Sequence, residues 1–250
     1  MPVNDSDGNA ANETPLTDVT LSSSRATLKA AAADPTLNED LALALLQKSD
    51  LPPDILEQLS KNASVAKSRK AKLAIIGHLK TPRYVSLSLL RQLFTFDLMK
   101  AALTPAIAGD IKAAAEEILI KRLESLSLGE RISLARRASA RVAGTLLLDP
   151  EVRVIQTALQ NPRLTEALVI KSLMMQGSSA TLVRSLCQHP KWSLQREIRI
   201  ALLRNEKTPV SFVEKFATAL PITLLGDILQ TSRLPEAVKN NLLKRAKAGR

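Results

Sequence analysis

Cysteine occurs once in the 250 residues, as Cys187, so no disulfide framework can staple the chain and the fold must rest on its core. Aromatics are nearly as scarce, with four Phe, one Trp and one Tyr, and there are only 8 glycines. An all-β fold therefore lacks both its strand-forming side chains and its tight-turn residues. Apolar runs of the ~18 residues that a membrane span needs are missing too, because a charged residue interrupts every window of that length. The opening Met1-Pro2-Val3-Asn4-Asp5 lacks the basic start and apolar stretch of a signal peptide, and with the single Cys this predicts a reduced, cytoplasmic protein. What the chain has in quantity is 43 Leu and 33 Ala. Both are strong helix formers, and alanine lets helices approach closely, so the composition predicts an all-α fold.

Charge is unevenly distributed. Residues 1–24 hold Asp5, Asp7, Glu13 and Asp18 and no Lys or Arg, a composition expected to stay disordered because it cannot bury enough apolar surface to offset its ordering entropy. The formal +11 of the whole chain divides into −4 on that tail, +5 over 25–122, zero over 123–151 and +10 over 152–250. Any anionic partner is expected at the last segment.

Compared with itself, the chain repeats. The stretch Arg69-Lys70-Ala71-Lys72-Leu73-Ala74-Ile75-Ile76 aligns with Arg196-Glu197-Ile198-Arg199-Ile200-Ala201-Leu202-Leu203, and Thr81-Pro82 with Thr208-Pro209, all at a shift of 127. The same shift places Asp34-Pro35 on Asn161-Pro162, Glu39 on Glu166, Leu59 on Leu186 and Leu98 on Leu225. An internal duplication follows, with blocks at 25–122 and 152–250 joined by a helical segment at 123–151.

Shorter punctuation runs inside the blocks. Asp34-Pro35, Leu51-Pro52-Pro53, Thr81-Pro82, Thr104-Pro105, Asp149-Pro150, Asn161-Pro162, His189-Pro190 and Thr208-Pro209 each precede an apolar stretch one helix long. Thr, Asp or Asn before Pro predicts a helix start, the side-chain oxygen capping free N–H groups and the proline taking the first helical position. Capping boxes are expected at Thr36–Glu39 and Ser127–Glu130. Spacings of three and four, as in Leu194, Ile198 and Ala201, are helical, and stretches such as 198–203 are apolar on more than one face.

The run Leu128-Gly129-Glu130-Arg131-Ile132-Ser133-Leu134-Ala135, then Leu148-Asp149-Pro150-Glu151-Val152-Arg153, then Gln160-Asn161-Pro162-Arg163-Leu164-Thr165-Glu166, resembles bacterial HEAT-like and leucine-rich-repeat-variant proteins. The resemblance extends over about 25–245. It implies a right-handed α-solenoid of short paired helices whose curved surface holds another macromolecule.

Residues with chemistry to offer are few. His78 aligns with Asn205 and His189 with Asn62, so each histidine is expected to act as a hydrogen-bonding turn residue between helices and not as a ligand or base. Cys187 reads as a small buried hydrophobe beside Leu182, Val183 and Leu186. No phosphate-cradling glycine loop or nucleophile elbow is present, and no metal or cofactor is expected. The basic residues of the last block stand out. Arg153, Arg163, Lys171 and Arg184 align with Ala26, Thr36, Ala44 and Glu57, so the duplicate carries charge that the shared fold does not need. With Lys191, Trp192, Arg196, Arg199 and Arg204 they form a candidate surface for an anionic partner, Trp192 being either a stacking group or a wedge between repeats.

Three functions are consistent with these features. A non-catalytic scaffold or adaptor binding a protein is favoured, with the acidic tail masking the basic block. A nucleic-acid-binding solenoid is the alternative. A DNA-glycosylase-like enzyme ranks last, since only Phe94, Phe96 and Asp97 approach a carboxylate set among aromatics; no small-molecule substrate is indicated.

Overall fold

The computed structural model describes residues 25–248, and the expectation for 1–24 lies outside the described residues. Seventeen α-helices and two 3-10 turns make up the regular structure there, with no strand among the described residues. The chain divides into two compact units at Ala114/Ala115. The first holds α1 (Arg25–Ala33), α2 (Glu39–Leu46), α3 (Pro53–Lys61), α4 (Ala63–Lys67), α5 (Arg69–Gly77), α6 (Arg83–Arg91) and α7 (Thr95–Leu103); α8 (Gly109–Arg122) carries the division. The second holds α9 (Leu128–Arg137), α10 (Ala140–Leu146), α11 (Val152–Leu159), α12 (Glu166–Met174), α13 (Ala180–Gln188), the 3-10 turn Trp192–Leu194, α14 (Arg196–Arg204), α15 (Val210–Ala217), α16 (Ile222–Gln230) and α17 (Glu236–Ala248).

Helices this short are marginal alone and must be held by packing. In the first unit α1 packs on α3, α2 on α5 and α5 on α7; in the second α9 packs on α11, α11 on α13, α10 on α12, α12 on α14 and α14 on α16. Apart from α2 and α5, which are separated by the extra short helix α4, these pairs are two apart in the chain, and alternate helices of the second unit form two layers, α9-α11-α13 and α10-α12-α14-α16. Leucine fills the space between them. Leu56, Leu59, Leu90 and Leu98 in the first unit and Leu134, Leu146 and Leu147 in the second are wholly buried, each contributing about 1.5–3 kcal/mol by leaving water. Fully buried alanines such as Ala42, Ala71, Ala143 and Ala158 keep the helix axes close.

Long-range polar ties follow the same period. Asn62 Nδ2 reaches the carbonyl of Ala32 at 3.1 Å, His78 Nε2 bonds that of Lys48 at 2.8 Å, and Ser172 Oγ bonds that of Gly144 at 3.1 Å. Asn205 Nδ2 reaches Leu173 at 3.2 Å and Ser232 Oγ reaches Leu203 at 2.6 Å. These partners lie 28 to 32 residues apart, the length of two helices with their turns.

The caps differ from expectation in an instructive way. Ser127 and Glu130 form the expected capping box. At the other site Asn38 caps α2, while Thr36 spends its N–H and hydroxyl on the Asp34 carboxylate, both at 2.7 Å. The Thr-Pro steps cap backwards: Thr81 Oγ1 donates to the carbonyl of Ile75 and Thr208 Oγ1 to that of Leu202, closing the preceding helix. Pro82 and Pro209 occupy the N-cap and not the first helical position, which Pro53 does take.

Candidate interaction surface

The junctions place the histidines. His189 Nδ1 accepts the N–H groups of Lys191 at 3.2 Å and Trp192 at 3.4 Å, as Asn62 Oδ1 accepts those of Ser64 and Val65. His78 Nδ1 accepts from Lys80 N at 3.2 Å, and Asn205 Oδ1 accepts from Lys207 N at 2.9 Å. Imidazole thus does the work of an amide, one ring nitrogen closing a turn, and in His78 the other reaches the carbonyl of Lys48 as the Asn205 amide nitrogen reaches that of Leu173. Burial, and then the neighbouring Lys191 charge, hold His189 below its ordinary value of 6.5. Cys187 is buried at the end of α13, and loss of hydration pushes its thiol up to about 11, far from a thiolate nucleophile.

Trp192 requires a correction. It is only 2% exposed, and its indole N–H donates to the carbonyl of Leu159 at 2.8 Å. Its ring is a wedge against α11 with Lys191 Nζ 4.1 Å from the centroid, so it does not belong to an exposed surface and no base can stack on it. The sequence marked an aromatic beside cations; burial decided its role.

The remaining candidates divide by layer. Helix α11 buries Val154, Ile155, Ala158 and Leu159, which turns Arg153 outward; α13 buries Leu182, Val183, Leu186 and Cys187, which exposes Arg184. Because α11 packs on α13, these two arginines share a layer. Lys171 on α12 and Arg196, Arg199 and Arg204 on α14 belong to the other layer. Arg199 is half-buried, with Nε donating to the carbonyl of Ser193 at 2.6 Å and its guanidinium over the Phe216 ring at 5.8 Å. Exposed Arg163 bonds the carbonyl of Arg137 at 3.3 Å. Exposed Arg153, Lys171, Arg184, Arg196 and Arg204 have no hydrogen bond or ion pair from their side chains among the described residues. Of the nine residues, six are cations divided between the two layers, Arg163 and Lys191 lie in the turns between helices, and Trp192 belongs to the core.

Asp97, the carboxylate of the enzyme reading, is buried at the start of α7 and accepts from Arg69 Nε at 2.6 Å, with Lys100 Nζ at 4.0 Å. Arg69 also lies 5.3 Å from the Phe94 ring centroid. This carboxylate is committed to an ion pair.

The second unit holds a further feature that the sequence did not flag. A cavity of about 190 Å³ opens at the C-terminal ends of α12 and α14 and beyond the end of α16, lined by Met174, Met175, Ser178, Arg204, Lys207 and Arg233 among others. Only Arg204 belonged to the expected surface. Met174 and Met175 end an apolar helix and have no spacing signature, and Arg233 reaches Arg204 only through the tertiary fold. No protein-family model, curated protein or solved structure matches the chain.

Proposed function

We infer that the protein is a non-catalytic scaffold, an α-solenoid built from a duplicated helical block that holds another macromolecule on its second, basic unit. The duplication is supported by helix boundaries: α3, α5 and α7 have the same limits as α13, α14 and α16 when displaced by 127 residues. The solenoid is supported by second-neighbour packing and by side-chain ties that return to the carbonyls of the helix pair before.

The observation that carries the functional reading is a pair of arginines. In the first block Arg69 is neutralised by Asp97. Displaced by 127, Arg69 becomes Arg196 and Asp97 becomes Leu224, so the duplicate kept the cation and dropped its acid. A cation retained without its intramolecular partner is available to an external one. The exposed layer that carries Arg196 also carries Lys171 and Arg204.

Affinity capture with the full chain tests this, using nuclease-treated extract of the source cells. A protein should be retained at low salt and released as salt rises, with capture reduced by Lys171→Glu/Arg196→Glu. The alternative, a nucleic-acid-binding solenoid, is favoured by the same unpaired cations. It predicts that capture disappears on nuclease treatment and that single-stranded or duplex DNA binds at low salt with a steep salt slope.

A further inference from the structure

We propose that the cavity at the ends of α12 and α14 is a peptide-binding site for an acidic segment of a partner protein, its carboxylate taken by Arg204 and Arg233 and its neighbouring apolar side chain by Met174 and Met175. The proposal deepens the scaffold reading and rests on it, since it names the class of partner.

The backbone N–H of Arg233 donates to the carbonyl of Arg204 at 3.1 Å, so two like charges are rooted on adjoining backbones and line one cavity. Neither guanidinium has a hydrogen bond or ion pair among the described residues. The helix dipole accounts for Arg204, the last residue of α14, but Arg233 lies three residues beyond the end of α16 and has no such role. Two free guanidinium forks lining one cavity suit a carboxylate, which each can bind bidentately.

Of the other polar groups around the cavity, Asn205, Lys207 and Thr231 are committed, while the side chains of Gln176 and Glu206 have no partner among the described residues. Asn205 spans Leu173 and Lys207, and Lys207 Nζ donates to the carbonyl of Ser178 at 2.5 Å. Ser178 itself is an exception: it is 3% exposed, lines the cavity, and its hydroxyl has no partner. That oxygen is sealed from solvent, so Ser178 meets the cavity through its other atoms and the recognition rests on the arginines and methionines.

Apolar surface selects a peptide over a nucleic acid. Met174 is 72% and Met175 47% exposed, and unbranched thioether side chains adapt to varied apolar groups. No exposed aromatic lines the cavity as a stacking platform, and Glu206 on its wall repels a continuous polyanion. One short acidic and apolar segment meets both conditions.

The test is panning of a random dodecapeptide phage library on the full chain and on Arg204→Gln/Arg233→Gln, with matched thermal melts to show that both fold. Peptides enriched on the natural chain should carry Asp or Glu next to Leu, Met or Phe. Their recovery should fall about tenfold on the double variant and be partly restored by Arg204→Lys/Arg233→Lys. Met174→Asp, which leaves both arginines in place, should reduce recovery as well. Enrichment without acidic residues, or equal recovery on the double Gln variant, overturns the site. So does binding of a 20-nucleotide single-stranded DNA that the double variant abolishes while peptide recovery is unchanged. If extract capture yields a salt-releasable protein while panning fails, this site alone is refuted. If panning succeeds while extract capture yields no protein, the scaffold reading falls and the peptide site stands.

Discussion

Asn161 shows how much one side chain can hold at a helix junction. It is buried, its Nδ2 donates to the carbonyls of Ala135 at 2.8 Å and Ala138 at 3.1 Å, and its Oδ1 accepts the N–H of Arg163 at 2.8 Å. Asn161→Ala leaves buried carbonyls without a donor and should cost about 2 kcal/mol, read as a lower urea midpoint at unchanged slope. His189→Asn, by contrast, should be nearly neutral at pH 7.5, since Asn62 closes the equivalent turn. The two forms should separate in acid. With its folded value below 6.5, His189 binds fewer protons in the native than in the unfolded chain, so the stability of the natural protein falls as pH drops below 6.5. His189→Asn should lose less stability between pH 7.5 and 5.5 than the natural chain. The Asn/His interchange was legible in the sequence, because the displaced copies wrote the same junction in two residues. The carbonyls that Asn62, His78 and Asn205 reach were not, since they belong to another helix pair.

At the scale of a helix pair, Gly144 of α10 lies against α12. Its carbonyl accepts from Ser172 Oγ, and a Cβ built there would meet Leu168 Cβ at 3.4 Å, the limit of ordinary contact. Helix propensity favours alanine over glycine by about 1 kcal/mol. Gly144→Ala should therefore fold and gain up to about 0.5 kcal/mol, whereas Gly144→Val adds branches that Leu168 cannot evade and should lower the melting temperature. The helices that follow the proline steps and the Ser127 capping box were legible, but the spacing Leu194-Ile198-Ala201 was misleading, since Leu194 ends a 3-10 turn and the chain breaks at Gln195 before α14. The direction of the Thr-Pro caps was not legible, because Thr81 and Thr208 have an acceptor behind them and a helix ahead, and spacing does not say which one wins.

Across the whole molecule, unpaired charge should be visible in bulk behaviour. With Arg153, Lys171, Arg184, Arg196 and Arg204 exposed and free of acidic partners among the described residues, the second unit repels itself. Screening at 0.1 M salt has a reach of about 10 Å, so raising sodium chloride from 0.02 to 0.3 M should raise the urea midpoint of the full chain. An unchanged or falling midpoint would show that these cations are neutralised within the chain. The basic character of residues 152–250 was plain from composition. The separation of its cations between two layers was not, because layer membership is set by which helices pack together.

The sequence by itself determined the all-helical character, the breaks that proline marks and the sign of the charge, since each depends on residues within one turn or on simple sums. Tertiary structure alone decided that Trp192 is a wedge and Asp97 an ion-pair partner. It alone brought Arg233, at the end of one helix pair, beside Arg204 at the end of another. The reason is distance: those outcomes are fixed by neighbours about thirty residues away, at hydrogen-bonding range only after the helices have packed.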